Sequence, residues 1–118
     1  KVYAVDISSE ALSVAKENAT NNGVKVEFLR SNLFNDLKKK KMFDIIVSNP
    51  PYIKSSDIEN LMVEVKDYDP MLALDGGNDG LEFYREIVRQ APEYLKENGK
   101  LMFEVGKGQA SQVYPYLL

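Results

Sequence analysis

The sequence predicts an α/β fold in which a mainly parallel sheet is covered by helices on both faces. Three observations carry this. Short apolar runs alternate with helix-length amphipathic stretches, in the order β-α-β-β-α-β-α. Two of the runs, Val2–Asp6 and Phe43–Ser48, are too apolar for a sheet that wets one face. The chain has 118 residues, enough for one compact core, and it shows no internal repeat. A single domain over 1–118 is expected.

Each element has a local reason. Val2–Asp6 is the first strand. Ser8-Ser9-Glu10 starts a helix, with a hydroxyl to cap it and an acid in its first turn. Leu12, Ala15 and Ala19 give that helix a buried stripe, and Asn22-Gly23 ends it. Val24–Arg30, with Val24, Val26 and Phe28 on one face, predicts a second strand. Lys38–Lys41 reads as a solvated linker and Phe43–Ser48 as the third strand. A short helix is expected near Asp57–Val65. Gly76–Gly80 lacks a phosphate-loop lysine and does not follow a strand, so it reads as a helix-leading loop. The long helix after it carries Leu81, Tyr84, Ile87, Val88, Ala91 and Leu95, and Pro92 should kink or split it. Asn98-Gly99 is a turn, Lys100–Val105 a fourth strand, and Gln109–Leu118 opens a last helix.

Composition removes several chemistries. There is no cysteine and no histidine, so disulfides, thiolate nucleophiles, imidazole bases and the commonest metal ligands are excluded. No metal site is expected. The net charge of −3 offers no basic field for nucleic acid. No apolar run reaches membrane-spanning length, and the chain does not open on a signal-peptide pattern. A soluble, cytoplasmic domain is expected. The chain starts at Lys1 and enters a strand at once, so it reads as a piece of a longer protein with structure before that residue.

Asn49-Pro50-Pro51-Tyr52 is the most informative stretch. It lies where a parallel strand ends, which is where open α/β sheets bind their ligands. Two prolines fix φ twice and remove two donors, leaving carbonyls that only accept. The asparagine adds a side-chain carbonyl and the tyrosine a flat ring. The result is a rigid set of acceptors suited to an NH2 group. The blander reading, a Pro-Pro strand stop, leaves the amide and the aromatic unexplained.

Three further residues are weaker alone. Asp6 ends the first strand, where an acid can accept from ribose hydroxyls, although acids there also serve helix starts. Ile7 offers apolar surface to an adenine ring. Asn32, after the second strand, could pair with a base edge or be a turn residue. Asp44 and Glu104 could orient other groups, and the tyrosines read as core and rim.

Taken together, Asp6-Ile7-Ser8, Ala11-Leu12, Asn18-Ala19, Phe43–Ile53, Asp69-Pro70, Ala73-Leu74, Gly77, Asp79-Gly80-Leu81, Tyr84-Arg85 and Glu104-Val105-Gly106 with Gln109 resemble the S-adenosylmethionine-dependent release-factor glutamine methyltransferases, the HemK/PrmC family. The resemblance covers essentially the whole chain. Asn-Pro-Pro-Tyr alone is shared with adenine and guanine amino-methyltransferases, and the block from Asp69 to Arg85 narrows it. It implies a Rossmann-like class I methyltransferase sheet of seven strands, four of them here. The first strand with its glycine-rich loop would precede Lys1, the last two strands would follow Leu118, and a helical domain for release-factor recognition would be absent. By position, Asp6, Ile7, Asn32, Leu33 and Asn49 would bind S-adenosylmethionine, Asp6 at the ribose and Leu33 through its backbone at the adenine. Asn49, Pro50, Pro51 and Tyr52 would hold the substrate glutamine, with Asn49, Pro50 and Tyr52 catalytic. Two positions depart from the pattern: Asn32 stands where Asp is usual, and Asp69 where Glu is usual.

The implied reaction methylates the N5 of a release-factor glutamine. Two other readings stay open: methylation of an exocyclic base amine in nucleic acid, which needs the same acceptors and a stacking ring, and an inactive methyltransferase fragment.

Overall fold

The structure, a computed structural model, describes residues 1–60 and 74–117. The expected Asp69-Pro70 and Ala73 positions, and the second half of the Asp57–Val65 helix, lie outside the described residues. The chain forms two compact units, Lys1–Lys40 and Lys41–Leu118. Each has its own two-stranded parallel sheet, where the sequence predicted one shared sheet. Among the described residues no helix is long and apolar enough to cross a membrane.

In the first unit β1 (Tyr3–Asp6) pairs in parallel with β2 (Glu27–Arg30), from Tyr3 opposite Glu27 to Asp6 opposite Arg30. Helix α1 (Ser9–Asn21) is the crossover. Ser8 caps it, its Oγ accepting from the Ala11 N–H at 3.1 Å. Leu12 is buried, and Ala15 and Ala19 half-buried, which is the predicted stripe. Gly23 ends the helix at φ 65, and the next N–H, of Val24, returns to the Ala19 carbonyl at 3.0 Å. That bond shortens the second strand. Val24 serves the helix end and is exposed, and pairing begins at Glu27 rather than Val24.

In the second unit β3 (Phe43–Ser48) pairs in parallel with β4 (Leu95–Phe103). The crossover ends in helix α2 (Glu82–Tyr94). Pro92 neither splits nor ends this helix, which runs on to Tyr94. A proline in the last turn removes only the bond from its own nitrogen to the Val88 carbonyl. Leu95 is not helical but opens β4. Phe43 pairs with Leu95 and Ile45 with Lys100, so residues 96–99 bulge out around Asn98 at φ 64. The predicted Asn98-Gly99 turn thus lies inside the strand, which ends at Phe103 rather than Val105. The predicted last helix is short: α3 (Ala110–Val113) tightens into a 3-10 turn, Tyr114–Leu117. Pro115 has no N–H with which to continue an α-helical ladder. A 3-10 turn at Ser55–Asn60 takes the place of the start of the expected Asp57–Val65 helix.

Tyr84 is fully buried, and Leu81, Ile87, Ala91, Tyr94 and Val113 are buried in the same unit. Tyr84 meets the Phe103 ring edge-on, centroids 5.0 Å apart, a contact of about 0.5–1.5 kcal/mol beyond burial. Lys41 enters the unit at φ 53; its N–H bonds the Glu93 carbonyl at 3.0 Å and its Nζ the Pro92 carbonyl at 3.2 Å. It therefore serves the carbonyl end of α2 rather than a solvated linker. The strand β3 was expected to be buried on both faces. Ile45 and Val47, two apart and so on one face, are instead exposed, as is Met102 opposite Val47.

Candidate functional site

The predicted residues fall into two groups, one in each unit. The first sits at the carboxyl ends of β1 and β2. Parallel pairing brings Asp6 beside Arg30, and the Ser31 N–H donates to the Asp6 carbonyl at 3.0 Å. The Asp6 carboxylate is exposed, and its Oδ1 accepts the Ser8 N–H at 2.9 Å. This places Asp6 one step ahead of the cap: Ser8 caps α1, and Asp6 holds Ser8. Among the described residues Oδ2 has no partner. Ile7 is 43% exposed, with its carbonyl held by Arg30 Nε at 2.9 Å.

Across from them, Ser31 is buried and organises the turn. Its Oγ donates to the Leu33 carbonyl at 2.8 Å and accepts the Asp36 N–H at 3.0 Å. Leu33 is left-handed, at φ 55, which a non-glycine residue adopts at a cost of about 1–2 kcal/mol. Asn32 is exposed, and its carbonyl accepts the Asn35 N–H at 3.1 Å. Asp6, Ile7, Asn32 and Leu33 therefore share one end of one parallel pair.

The second group continues β3. The Ser48 carbonyl accepts the Glu104 N–H at 3.0 Å, so the loop leaves from a fixed point. Asn49 is exposed, Pro50 is buried, and Pro51 and Tyr52 are half-buried. Among the described residues nothing hydrogen-bonds the Asn49 side chain or the Pro50 carbonyl. The Tyr52 carbonyl is occupied by Gln109 Nε2 at 2.9 Å. The Tyr52 ring packs against the buried Leu81, Tyr84 and Val113. It is an anchor as much as a face for a ligand.

The wall behind this loop is what sequence reasoning missed. Residues 76–80, read as a helix-leading loop, lie against Pro51 and Tyr52. A Cβ on Gly76 would stand 2.7 Å from the Pro51 carbonyl oxygen, and one on Gly80 2.5 Å from that of Tyr52. On Gly106 it would stand 2.7 Å from Tyr52 Cδ2. Two bonds stitch the segments together: the Ile53 N–H to the Leu74 carbonyl at 3.2 Å, and the Gly76 N–H to the Ile53 carbonyl at 2.7 Å. The available signal was a doubled Asx turn. Asp75 Oδ1 accepts from the Gly77 N–H and Asp79 Oδ1 from the Leu81 N–H, each at 2.9 Å and each two residues on.

The electrostatics follow from these bonds. The Ser55 hydroxyl, 2.6 Å away, and then the Gly77 N–H hold the Asp75 carboxyl below its ordinary range. Arg85, 2.5 Å from Asp79 Oδ2, and then the Leu81 N–H do the same for Asp79. Burial, with smaller contributions from Tyr52 and Glu104, pushes the Tyr84 phenol up to about 12. At neutral pH Tyr84 is therefore a donor, to the Glu104 carbonyl at 2.8 Å. Asp44, 3.4 Å from Lys96 Nζ, is exposed and orients nothing in this loop.

The chain matches known proteins closely. The model of the "Methyltransferase small domain" family matches residues 1–67. A release factor glutamine methyltransferase of Geobacter sulfurreducens is 50% identical over 113 residues, covering 96% of this chain and 39% of the relative. One of Fusobacterium nucleatum is 49% identical, over 95% of this chain and 32% of its own length. A bifunctional methyltransferase of Rickettsia typhi is 44% identical, over 95% and 22%. This chain thus spans well under half the length of these curated relatives. The chain belongs to the methyltransferase small-domain family, and the resemblance to release factor glutamine methyltransferases carried by its motifs is borne out by the relatives it matches.

Proposed function

We propose that this protein transfers a methyl group from S-adenosylmethionine to the side-chain amide nitrogen of a glutamine in a peptide chain release factor. The observation that carries the reading is the Asn49–Tyr52 loop: an exposed amide beside a buried proline, with the Tyr52 carbonyl already used. The names of the relatives supply the substrate class. Both units are read as parts of one catalytic domain over 1–118, and the four described strands as members of a Rossmann-like class I methyltransferase sheet. The setting is read as cytoplasmic, with a protein rather than nucleic acid as acceptor.

The residues of the first unit suit the cofactor. Asp6 keeps one carboxylate oxygen for the two ribose hydroxyls while the Ser8 N–H fixes the other. Ile7 offers exposed apolar surface to the adenine, and the Leu33 backbone, set by Ser31, would lie against the same ring. Asn32 can donate and accept at a base edge, where an aspartate only accepts.

When bound, S-adenosylmethionine supplies an electrophilic methyl on a sulfonium centre. The harder partner is the amide nitrogen, whose lone pair is shared with its carbonyl. Asn49 Oδ1 and the Pro50 carbonyl would accept its two N–H bonds and aim the nitrogen at the methyl carbon. The same acceptors would stabilise the positive charge that develops on that nitrogen as it gains the methyl group. The surplus N–H proton then passes to water. Tyr52, fixed over Gly106, would close the amide off from solvent with the exposed part of its ring.

Incubation with methyl-labelled S-adenosylmethionine should place label on a release-factor glutamine, located by mass spectrometry, and not on RNA or DNA. Label on nucleic acid alone would overturn the reading. Asn49→Ala should lower single-turnover rate by ~10²-fold or more, with cofactor affinity by calorimetry little changed. Equal losses in both would remove the role given to Asn49.

A further inference from the structure

One acceptor in the Asn49–Tyr52 loop is taken out of use by a residue 57 positions away in sequence. Gln109 Nε2 donates to the Tyr52 carbonyl at 2.9 Å, while its Oε1 accepts the Gly106 N–H at 3.0 Å. The amide cannot be flipped, because Gly106 only donates and the Tyr52 oxygen only accepts. The Gln109 backbone is fixed as well: its N–H bonds the Gly106 carbonyl at 3.0 Å, and its own carbonyl receives Gln112 at 2.9 Å and Val113 at 3.0 Å. Beside this bond Gly80 leaves no room for a side chain, since a Cβ there would lie 2.5 Å from the Tyr52 oxygen and 3.2 Å from Gln109 Nε2.

We propose that Gln109 is a positioning residue for the methyl transfer: by engaging the Tyr52 carbonyl it fixes the end of the Pro50-Pro51 segment, and with it the direction of the Pro50 carbonyl, which together with Asn49 Oδ1 would meet the two N–H bonds of a primary amide. The inference rests on the amide-methylation reading. Its physical basis is stiffness. With φ fixed at Pro50 and Pro51, the orientation of the Tyr52 peptide group propagates back to the Pro50 carbonyl through few free torsions. Releasing Tyr52 reorients that carbonyl.

Two variants test this. Gln109→Glu keeps length and the bond from Gly106, but loses the donor to Tyr52. Gln109→Met keeps length and loses both. In steady-state methylation of release factor, Gln109→Glu should lower kcat by ~10²-fold, the scale of a roughly 1 Å misplacement, with KM for S-adenosylmethionine within about twofold. In hydrogen exchange, the Gly106 amide should stay protected in Gln109→Glu while Ile53 and Gly76 exchange faster; in Gln109→Met all three should. Unchanged kcat, or unchanged Ile53 and Gly76 protection in both variants, overturns the proposal, as does an equal rise in KM for the cofactor. The exchange arm needs no substrate. Should wild-type protein leave release factor unlabelled, the function reading fails, and loss of Ile53 and Gly76 protection still decides whether Gln109 holds the loop.

Discussion

The two ends of parallel strands that carry the candidate residues are held in different ways. At β1 and β2, among the described residues, the bonds that shape Ile7, Asn32 and Leu33 come from residues near in sequence or from the adjoining strand: Ser8 to Asp6, Ser31 to Leu33, Arg30 to Ile7. At β3 the Asn49–Tyr52 loop is held by segments 25 and more residues away, through glycines pressed against its backbone and one glutamine. The first is a turn that makes itself; the second is a loop made by its neighbours. Substitution should therefore be absorbed locally in one and transmitted in the other.

Two glycines make the sharpest test. Gly23 and Gly80 both have positive φ, 65 and 76. A Cβ at Gly23 meets nothing within 4 Å, whereas at Gly80 it meets the Tyr52 carbonyl. Gly23→Ala should cost about 1 kcal/mol for the conformation alone. Gly80→Ala should cost about 3 kcal/mol, because overlap adds to the same strain. Urea denaturation of the two variants measures both, and equal costs would end the distinction.

A smaller effect is expected at Tyr84, whose hydroxyl supports the second loop through Glu104. Tyr84→Phe should cost about 1–2 kcal/mol by leaving the Glu104 carbonyl without its donor. The phenol titrates at about 12 in the fold against 10.0 ordinarily. Above pH 10 the unfolded chain loses this proton first, so stability present below pH 10 is lost as pH rises towards about 12. That alkaline decline, followed by circular dichroism, should be shallower in Tyr84→Phe.

The smallest effect concerns Asp75 and Asp79, whose carboxyls are held below the ordinary 3.8 by Ser55 and Arg85. Both are solvent-screened, so their share is modest. Their contribution is present above that value and is lost as pH falls below it. Amide exchange at Gly77 and Leu81 should rise in acid before exchange within β1 does; simultaneous loss would contradict separate support.

The same contrast explains what could be read from the sequence. Ser8 as a cap, Leu12 as core and Gly23 as a stop are local matters, and each stands where its residue type requires. Second-strand length failed because Val24 answers to the end of α1, which alternation of apolar residues does not report. The split expected at Pro92 failed because its position relative to the helix end, not its presence, decides the cost. The acceptor loop was legible as chemistry. Its support was not, because Gly76, Gly80, Gly106 and Gln109 acquire meaning only against Tyr52, and no periodicity connects them.

The exposed row of Ile45, Val47 and Met102 bears on the behaviour of the protein in solution. A net charge of −3 provides weak mutual repulsion between molecules, and it vanishes near pH 5.0, the isoelectric point. There the apolar strand face would meet other copies with no long-range barrier. Colloidal stability is therefore lowest near pH 5, above the range in which Asp75 and Asp79 titrate, so precipitation in mild acid would report surface contact between folded molecules rather than unfolding.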